Sequence, residues 1–221
     1  MTDAQWARIE RLLPDRTPKR GGRWRDYREV IDAIAWKFQT GAQWVRLPEK
    51  YGNCGVSTTG CGAIGRSRGG LTTKIHLAAD GNCRPLAFHL TAGQAGDAPA
   101  FADVMARLRV PRRRGRSRTR PVAVLADKAY SSRAIREHLR RRGIRAVIPV
   151  PADQRGHRLR RGSRGGRPPA FDREAYKQRN TVERCINRLK QWRGIATRYE
   201  KTAAIYLAGL HVAGIFLWSA R

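Results

Sequence analysis

Apolar residues recur at helical spacing in two stretches near the N-terminus. Residues 2–13 carry an apolar side and have Thr2 as the expected N-cap. Residues 26–39 repeat the pattern, and Gly41 is expected to end the second helix. Two short helices around a basic turn fit either a partial helix-turn-helix or a helical hairpin packed on the main domain, and spacing does not choose between them. The pattern predicts a small helical N-terminal region over residues 1–50.

The pattern changes after a glycine-rich stretch, residues 51–70, which has no periodicity and is interpreted as a junction. Two β-prone runs follow at 71–78 and 85–91, and they flank the turn sequence Asp-Gly-Asn at 80–82. Such a turn between two β-prone runs predicts a β-hairpin. A helix is expected over 98–108.

The apolar run at 122–127 predicts a strand that ends at Asp127. A helix from Ser132 to Arg142 and a second strand at 145–150 follow it. Strand, helix and strand within about 30 residues predict a parallel pair with a right-handed crossover. The fold class expected from these elements is α/β.

The last apolar segment, residues 203–218, is predicted to be a buried core helix. It is shorter than the roughly 20 apolar residues that span a bilayer, and His211 lies within it. The N-terminus has no apolar run of the secretory kind, so no signal peptide is expected. The cysteines form no C-x-x-C pair and are predicted to be free thiols: Cys54, Cys61, Cys83 and Cys185.

The charge of the chain changes the functional expectation. There are 46 lysines and arginines against 17 aspartates and glutamates, a formal net charge of +29. This excess predicts a polyanionic partner, although arginines spread over solvated faces would explain part of it. Two basic stretches, 110–122 and 151–170, suit phosphate contacts, and the second is predicted to be a mobile loop that cannot form a core.

A long helix is predicted over 172–192. It places Tyr176, Arg179, Glu183 and Lys190 close to one face. Taken singly, Glu183 fits an ion pair on a solvated helix, and Asp127 fits a turn cap after a strand. Together, two carboxylates in a positive field suit a divalent cation such as Mg²⁺, which prefers oxygen ligands.

The spacing Y-x-x-R-x-x-x-E-x-x-x-x-x-x-K over these four helix residues resembles the signature of bacterial insertion-sequence transposases with an Asp-Asp-Glu triad. The stretches GRSRGGLTTKIHLAADG, PLAFHLTAGQAGD and VLADKAYSS resemble the same group, as does the N-terminal region. The resemblance covers nearly the whole chain except the glycine-rich junction. It is closest to the group whose catalytic domain is similar to ribonuclease H, here over residues 71–221.

The resemblance implies DNA cleavage and strand transfer at insertion-sequence ends with Mg²⁺ or Mn²⁺. Asp127 and Glu183 are then the catalytic metal ligands, and the implied DNA-binding residues are Tyr176, Arg179, Lys190, Arg66 and Arg68. The implied partners are the terminal inverted repeats and target DNA, with a homodimer left open. The implied location is cytoplasmic and nucleoid-associated, without membrane attachment.

One family element is missing. The first Asp of the triad lies on the first sheet strand of the family, but no Asp occurs here between Glu49 and Asp80. Neither Asp80 nor Asp97 is a convincing substitute. The expectation is an incomplete ribonuclease-H-like domain with impaired catalysis. The alternatives are a non-catalytic DNA-binding remnant and, less well supported by the spaced residues, an RNA-binding protein.

Overall fold

The chain folds into mixed helices and strands, consistent with the α/β expectation. The computed structural model describes residues 1–14, 25–51, 65–67, 70–198, 200 and 202–220. The helices of these ranges are α1 (Asp3–Ile9), α2 (Tyr27–Thr40), α3 (Ala100–Arg107), α4 (Arg133–Arg141), α5 (Ala152–Arg160), α6 (Arg173–Lys177), α7 (Asn180–Lys190), α8 (Arg193–Thr197) and α9 (Ala203–Ser219). The strands are β1 (Gly65–Ser67), β2 (Gly70–Ala79), β3 (Pro85–Ala92), β4 (Ala123–Leu125) and β5 (Arg145–Val147).

The strands of the described ranges form two separate sheets. The first has the order β1-β2-β3, with β1 antiparallel to β2, and the second pairs β4 with β5 in parallel. Ala123 pairs with Arg145 and Leu125 with Val147. The predicted parallel pair is therefore confirmed. The hand of its crossover stays a prediction.

Local signals placed several element ends correctly. The Thr2 side chain accepts a hydrogen bond from the Gln5 N–H in a capping box. Ser132 caps α4 through the Ile135 N–H at 3.2 Å. Gly41 ends α2 in the left-handed conformation, with φ at 73°.

The described residues divide by packing into two compact units, Met1–Thr73 with Ile186–Arg221, and Lys74–Cys185. In the first unit, α2 packs on α8 and α9. The fully buried ring of Phe38 lies against α9 at Gly209. The predicted functional segments 1–50, 51–70 and 71–221 stay a prediction, because this division reflects packing and not function.

The second unit has its own apolar core between α3, α4 and β5. The core residues are Phe101, Met105, Ile135, Leu139, Ile144 and Ile148, with Val124 of β4 packed against them. This core fixes the β4–β5 pair on α4. It therefore positions the residues that follow β4, including Asp127.

The basic stretch 151–170 was predicted to be a mobile loop, and the loop assignment was wrong for most of the stretch. Residues Ala152–Arg160 form α5, followed by a 3₁₀ turn at Gly162–Gly165. Arginine is a good helix former, and Gln154 of this helix accepts a hydrogen bond from Ser131 Oγ at 3.1 Å. The expectation that the stretch adds nothing to the core is confirmed for α5, which has no buried residue.

The C-terminal helix α9 is a core helix, with buried residues that include Tyr206 and Leu210. Among the described residues, no helix combines the length and apolar character needed to span a bilayer. Cys83 and Cys185 are buried, and neither forms a disulfide among the described residues. Cys54 and Cys61 lie outside the described residues, as does most of the glycine-rich junction.

Candidate active site

Asp127 lies two residues beyond the carboxyl end of β4. Its Oδ1 accepts a hydrogen bond from the Lys128 N–H at 2.5 Å and caps a 3₁₀ turn over Lys128–Tyr130. This contact agrees with the interpretation of Asp127 as a turn cap after a strand. Its second oxygen, Oδ2, points to a different partner, and about half of the side chain is exposed.

The predicted helix 172–192 is interrupted, which corrects the sequence-based expectation. Helix α6 ends at Lys177, and α7 begins at Asn180. The N–H of Arg179 bonds to the Tyr176 carbonyl at 2.9 Å, three residues back. Bonding to the third preceding residue tightens the chain to a 3₁₀ turn, in which side chains three apart eclipse each other. The Arg179 guanidinium accordingly lies 5.9 Å from the centre of the Tyr176 ring.

The guanidinium of Arg179 contacts both candidate carboxylates. Its Nη2 lies 2.5 Å from Glu183 Oε1, and its Nη1 lies 3.8 Å from Asp127 Oδ2. Because both nitrogens belong to one small planar group, the two carboxylate oxygens are no more than about 9 Å apart. Two acids separated by 56 positions in sequence therefore converge on one cation.

The other predicted DNA-binding residues are placed as follows. The Tyr176 ring is half-buried and packs against Phe171, with ring centres 5.2 Å apart. Lys190 is the last residue of α7 and is exposed. Arg66 belongs to β1, while Arg68 lies outside the described residues.

Sequence analysis did not single out Tyr130, which belongs to the neighbourhood of Asp127. Burial, followed by the negative charges of Asp97 and Asp127, raises the pKa of Tyr130 to about 12. The Tyr130 phenol is therefore neutral at physiological pH and lies near Asp97 and Asp127. The signal in the sequence was its position three residues after Asp127, at the end of the 3₁₀ turn.

Asp80 and Asp97 have other partners. Burial raises the pKa of the Asp80 carboxyl, but hydrogen bonds from Arg84 and Asn82 outweigh burial and lower it overall. Asp80 thus secures the turn between β2 and β3. Asp97 Oδ1 lies 3.0 Å from Lys74 Nζ, which also donates to the Ala95 carbonyl at 2.8 Å. Within the described ranges, no three or more His, Cys, Asp or Glu side chains form a group that could hold a metal ion.

Comparison with known proteins decides the family. A profile described as "Transposase DDE domain" matches residues 30–218, which is most of the chain. The chain belongs to the DDE transposase family. It is also 29% identical over 148 residues to the "Putative transposase for insertion sequence element IS6501" of Brucella ovis, a match that covers 67% of this chain and 98% of that protein. No solved structure matches the chain.

Family membership confirms the predicted resemblance to insertion-sequence DDE transposases. The Tyr-Arg-Glu-Lys signature group within that family stays a prediction. Family membership also gives the setting for the geometry, because DDE transposases act on DNA and use divalent metal ions. The match spans Asp127, Arg179 and Glu183. It does not by itself assign a role to any of them.

Proposed function

We propose that this transposase cleaves DNA phosphodiesters and transfers strands at insertion-sequence ends, with Asp127 and Glu183 as ligands of Mg²⁺ or Mn²⁺. The observation that carries the proposal is the convergence of both carboxylates on the Arg179 guanidinium. The two carboxylates create a negative electrostatic potential at the point where the guanidinium lies. That place follows the carboxyl end of β4, where α/β proteins commonly carry functional groups.

The residues present fit a divalent ion in part. Carboxylate oxygens are the ligands that Mg²⁺ and Mn²⁺ prefer, and phosphate oxygens of DNA complete such a shell. The guanidinium stands in for the cation and carries one positive charge between two negative ones. A bound divalent ion would supply activation of the attacking oxygen and stabilisation of the leaving oxygen.

The protein residues have separable tasks in this proposal. The Lys128 N–H fixes one oxygen of Asp127, and the other oxygen, which faces Arg179, is the one that a metal would take in place of the guanidinium. Glu183 lies in the first turn of α7, where the helix dipole stabilises a negative charge. Arg179 holds the acids together without DNA and exchanges them for backbone phosphates when DNA binds, because a guanidinium forms bidentate contacts with either group.

The missing first Asp sets the expected level of activity. We propose a ribonuclease-H-like domain that lacks its first strand and one of three carboxylates. Loss of one carboxylate removes a metal ligand and one unit of neutralising charge. Cleavage is then expected to be slower than in a transposase with a complete triad, while DNA binding is retained.

A second candidate, a DNA-binding remnant without catalysis, is favoured by the same contact. Arg179 satisfies both acids, and no further carboxylate completes a metal-binding group among the described residues. A divalent ion would have to displace the guanidinium. The two candidates differ in whether the acids bind metal at all.

Metal binding separates the two candidates, and Mn²⁺ titration followed by electron paramagnetic resonance measures it. Loss of an outer-shell partner alone lowers metal affinity about 10–100-fold, so Asp127→Asn and Glu183→Gln are expected to weaken Mn²⁺ binding at least that much. Glu174→Gln is the matched control, because Glu174 is an exposed acid that pairs with Lys177 at 2.8 Å. Arg179→Gln is expected to strengthen Mn²⁺ binding by freeing both acids.

Nicking of plasmid DNA that carries the sequences flanking the gene is the functional measurement. Nicking that needs Mg²⁺ and is lost in Glu183→Gln but not in Glu174→Gln supports the transposase chemistry. Equal Mn²⁺ affinity in the wild type and in both acid variants would refute the metal assignment and leave the remnant. The cytoplasmic, nucleoid-associated location and the homodimer stay predictions.

A further inference from the structure

A second cationic feature lies in the unit of residues 74–185, in the loop between α3 and β4. Residues 109–120, here named the arginine loop, contain seven arginines and no acid. Four of these arginines and two hydroxyl side chains surround a shallow cavity of about 270 Å³, and its lining is Arg112, Arg116, Ser117, Arg118, Thr119 and Arg120. Guanidinium and hydroxyl groups are the donors that proteins use for phosphate.

The arginine loop is held closed by its backbone. Val110 and Arg118 exchange two hydrogen bonds of 2.9 and 2.8 Å, which close the loop at its base. Gly115 makes the bend with φ at +81°, a conformation that other residues rarely adopt. Arg142 Nη2 donates to the Thr119 carbonyl at 3.0 Å and ties the returning arm to the end of α4. The cavity is therefore formed before any ligand binds.

Ion pairs within the described ranges do not balance the charge of this cavity. Among the described residues, no salt bridge involves Arg112 or Arg116. Both are exposed, so each is solvated, but closure of the loop keeps several like charges within one small volume. An anion in the cavity relieves that repulsion, and a phosphate does so while accepting hydrogen bonds from several sides.

The arginine loop lies at the opposite end of β4 from Asp127. The loop leads into Ala123, the first residue of β4, whereas Asp127 follows Leu125, the last. A three-residue strand rises about 10 Å, and the seven steps from Arg120 to Asp127 span at most about 25 Å. Duplex DNA rises 3.4 Å per base pair, so this separation corresponds to roughly three to seven base pairs.

We propose that the arginine loop is a preformed phosphate-binding site that holds the backbone of duplex DNA a few base pairs from the candidate active site. The distance to the scissile phosphate rests on the proposed function, while phosphate binding by the loop does not. The site adds affinity without sequence preference, because phosphates carry no base information.

The test compares two double variants that remove the same charge. Arg112→Gln with Arg116→Gln changes the cavity, and Arg140→Gln with Arg141→Gln changes exposed positions near the end of α4. Binding of a labelled duplex of about two helical turns is followed by fluorescence anisotropy over a range of salt concentrations. Each lost phosphate contact makes the slope of log affinity against log salt shallower by about 0.9. This slope is therefore expected to be shallower than that of the wild type by about two in the loop variant, and by well under one in the α4 variant.

Further arms make the outcome specific. Arg112→Lys with Arg116→Lys keeps the charge and is expected to recover only part of the affinity, because lysine does not bind phosphate in a bidentate manner. Equal loss in the loop and α4 double variants would refute a localised site. Inorganic triphosphate that binds the wild type but not the loop variant, with duplex affinity unchanged, would overturn the assignment to DNA.

The failure of this proposal is distinguishable from failure of the proposed function. Asp127→Asn is expected to leave unchanged the difference in salt slope that Arg112→Gln with Arg116→Gln causes, because Asp127 does not line the cavity. If the wild type does not nick DNA but the loop variant still has the shallower salt slope, only the proposed catalysis is refuted. If the wild type nicks DNA but the loop variant keeps the salt slope of the wild type, only the arginine loop proposal is refuted.

Discussion

The packing of Phe38 on α9 allows us to predict the effect of one added methyl group, in Gly209→Ala. An added Cβ at Gly209 would lie 2.4 Å from Phe38 Cζ, where ordinary carbon contacts are about 3.5–4.0 Å. The ring cannot swing into solvent, because Phe38 is fully buried. The backbone of Phe38 is also confined, since a Cβ at Gly194 of α8 would lie 3.0 Å from its Cα. Gly209→Ala therefore forces α2 and α9 apart.

The size of the effect follows from two opposing contributions. Overpacking of a core costs about 1–3 kcal/mol, and the deep overlap with a confined ring favours the upper end. Alanine in place of glycine gains back about 1 kcal/mol of helix propensity. The expected net loss in the free energy of unfolding is about 2 kcal/mol. With a denaturant slope of about 2 kcal/mol per molar, the urea midpoint falls by about 1 M.

Urea unfolding followed by tryptophan fluorescence measures this change. Gly156→Ala is the matched control, because an added Cβ there meets only Arg160 Nη1, at 4.0 Å, on the exposed helix α5. That variant is expected to be neutral or slightly stabilised. Phe38→Leu introduced together with Gly209→Ala is expected to cost less than the two single losses combined, because it removes the overlapping ring atoms. A Gly209→Ala protein as stable as the wild type, with an unchanged slope, would refute this account of the packing.

Two further predictions concern charged groups with structural tasks. Because hydrogen bonds from Arg84 lower the pKa of Asp80 despite its burial, the stabilisation by Asp80 is present above about pH 4 and is lost as the pH falls through the lowered value. In urea titrations, Asp80→Asn should therefore lower the free energy of unfolding by about 1 kcal/mol at pH 7 and leave it almost unchanged at pH 2. A loss of stability that does not depend on pH would contradict this role of the Asp80 carboxylate. Arg136 donates to the Ile148 carbonyl at 2.8 Å and to Ser131 Oγ at 2.9 Å. Arg136→Gln should therefore lower the free energy of unfolding by about 1–3 kcal/mol. It should leave the salt dependence of DNA binding unchanged. A shallower salt dependence would instead place Arg136 at the DNA.

Much of the local structure could be predicted because its causes are local. Thr2, Ser132 and Gly41 each act within one turn of helix, and their positions alone fixed those helix ends. The acidic turn at Asp80 likewise depends on residues at most four positions away. The parallel β4–β5 pair was predictable because two strands joined through one short helix can pair in few topologies.

The predictions that were wrong involve competition between local alternatives. The α5 helix was missed because glycine and proline flank an arginine-rich stretch whose helix propensity then prevails. The break between α6 and α7 was missed because periodicity does not distinguish bonding to the third preceding residue from bonding to the fourth. The 3₁₀ turn places Arg179 beside Tyr176 and in contact with both candidate acids.

The sequence by itself determined the family, the excess of positive charge and the spacing of Tyr176, Arg179, Glu183 and Lys190, since these are properties of residue identity and order. Only the tertiary structure decided that Asp127 and Glu183 share the Arg179 guanidinium and that the arginine loop closes around a cavity. The physical reason is that an ion pair between distant segments depends on the core that fixes both segments. Packing of Val124 against the apolar core of the second unit sets the position of β4, and no pattern of charges near Asp127 encodes that position.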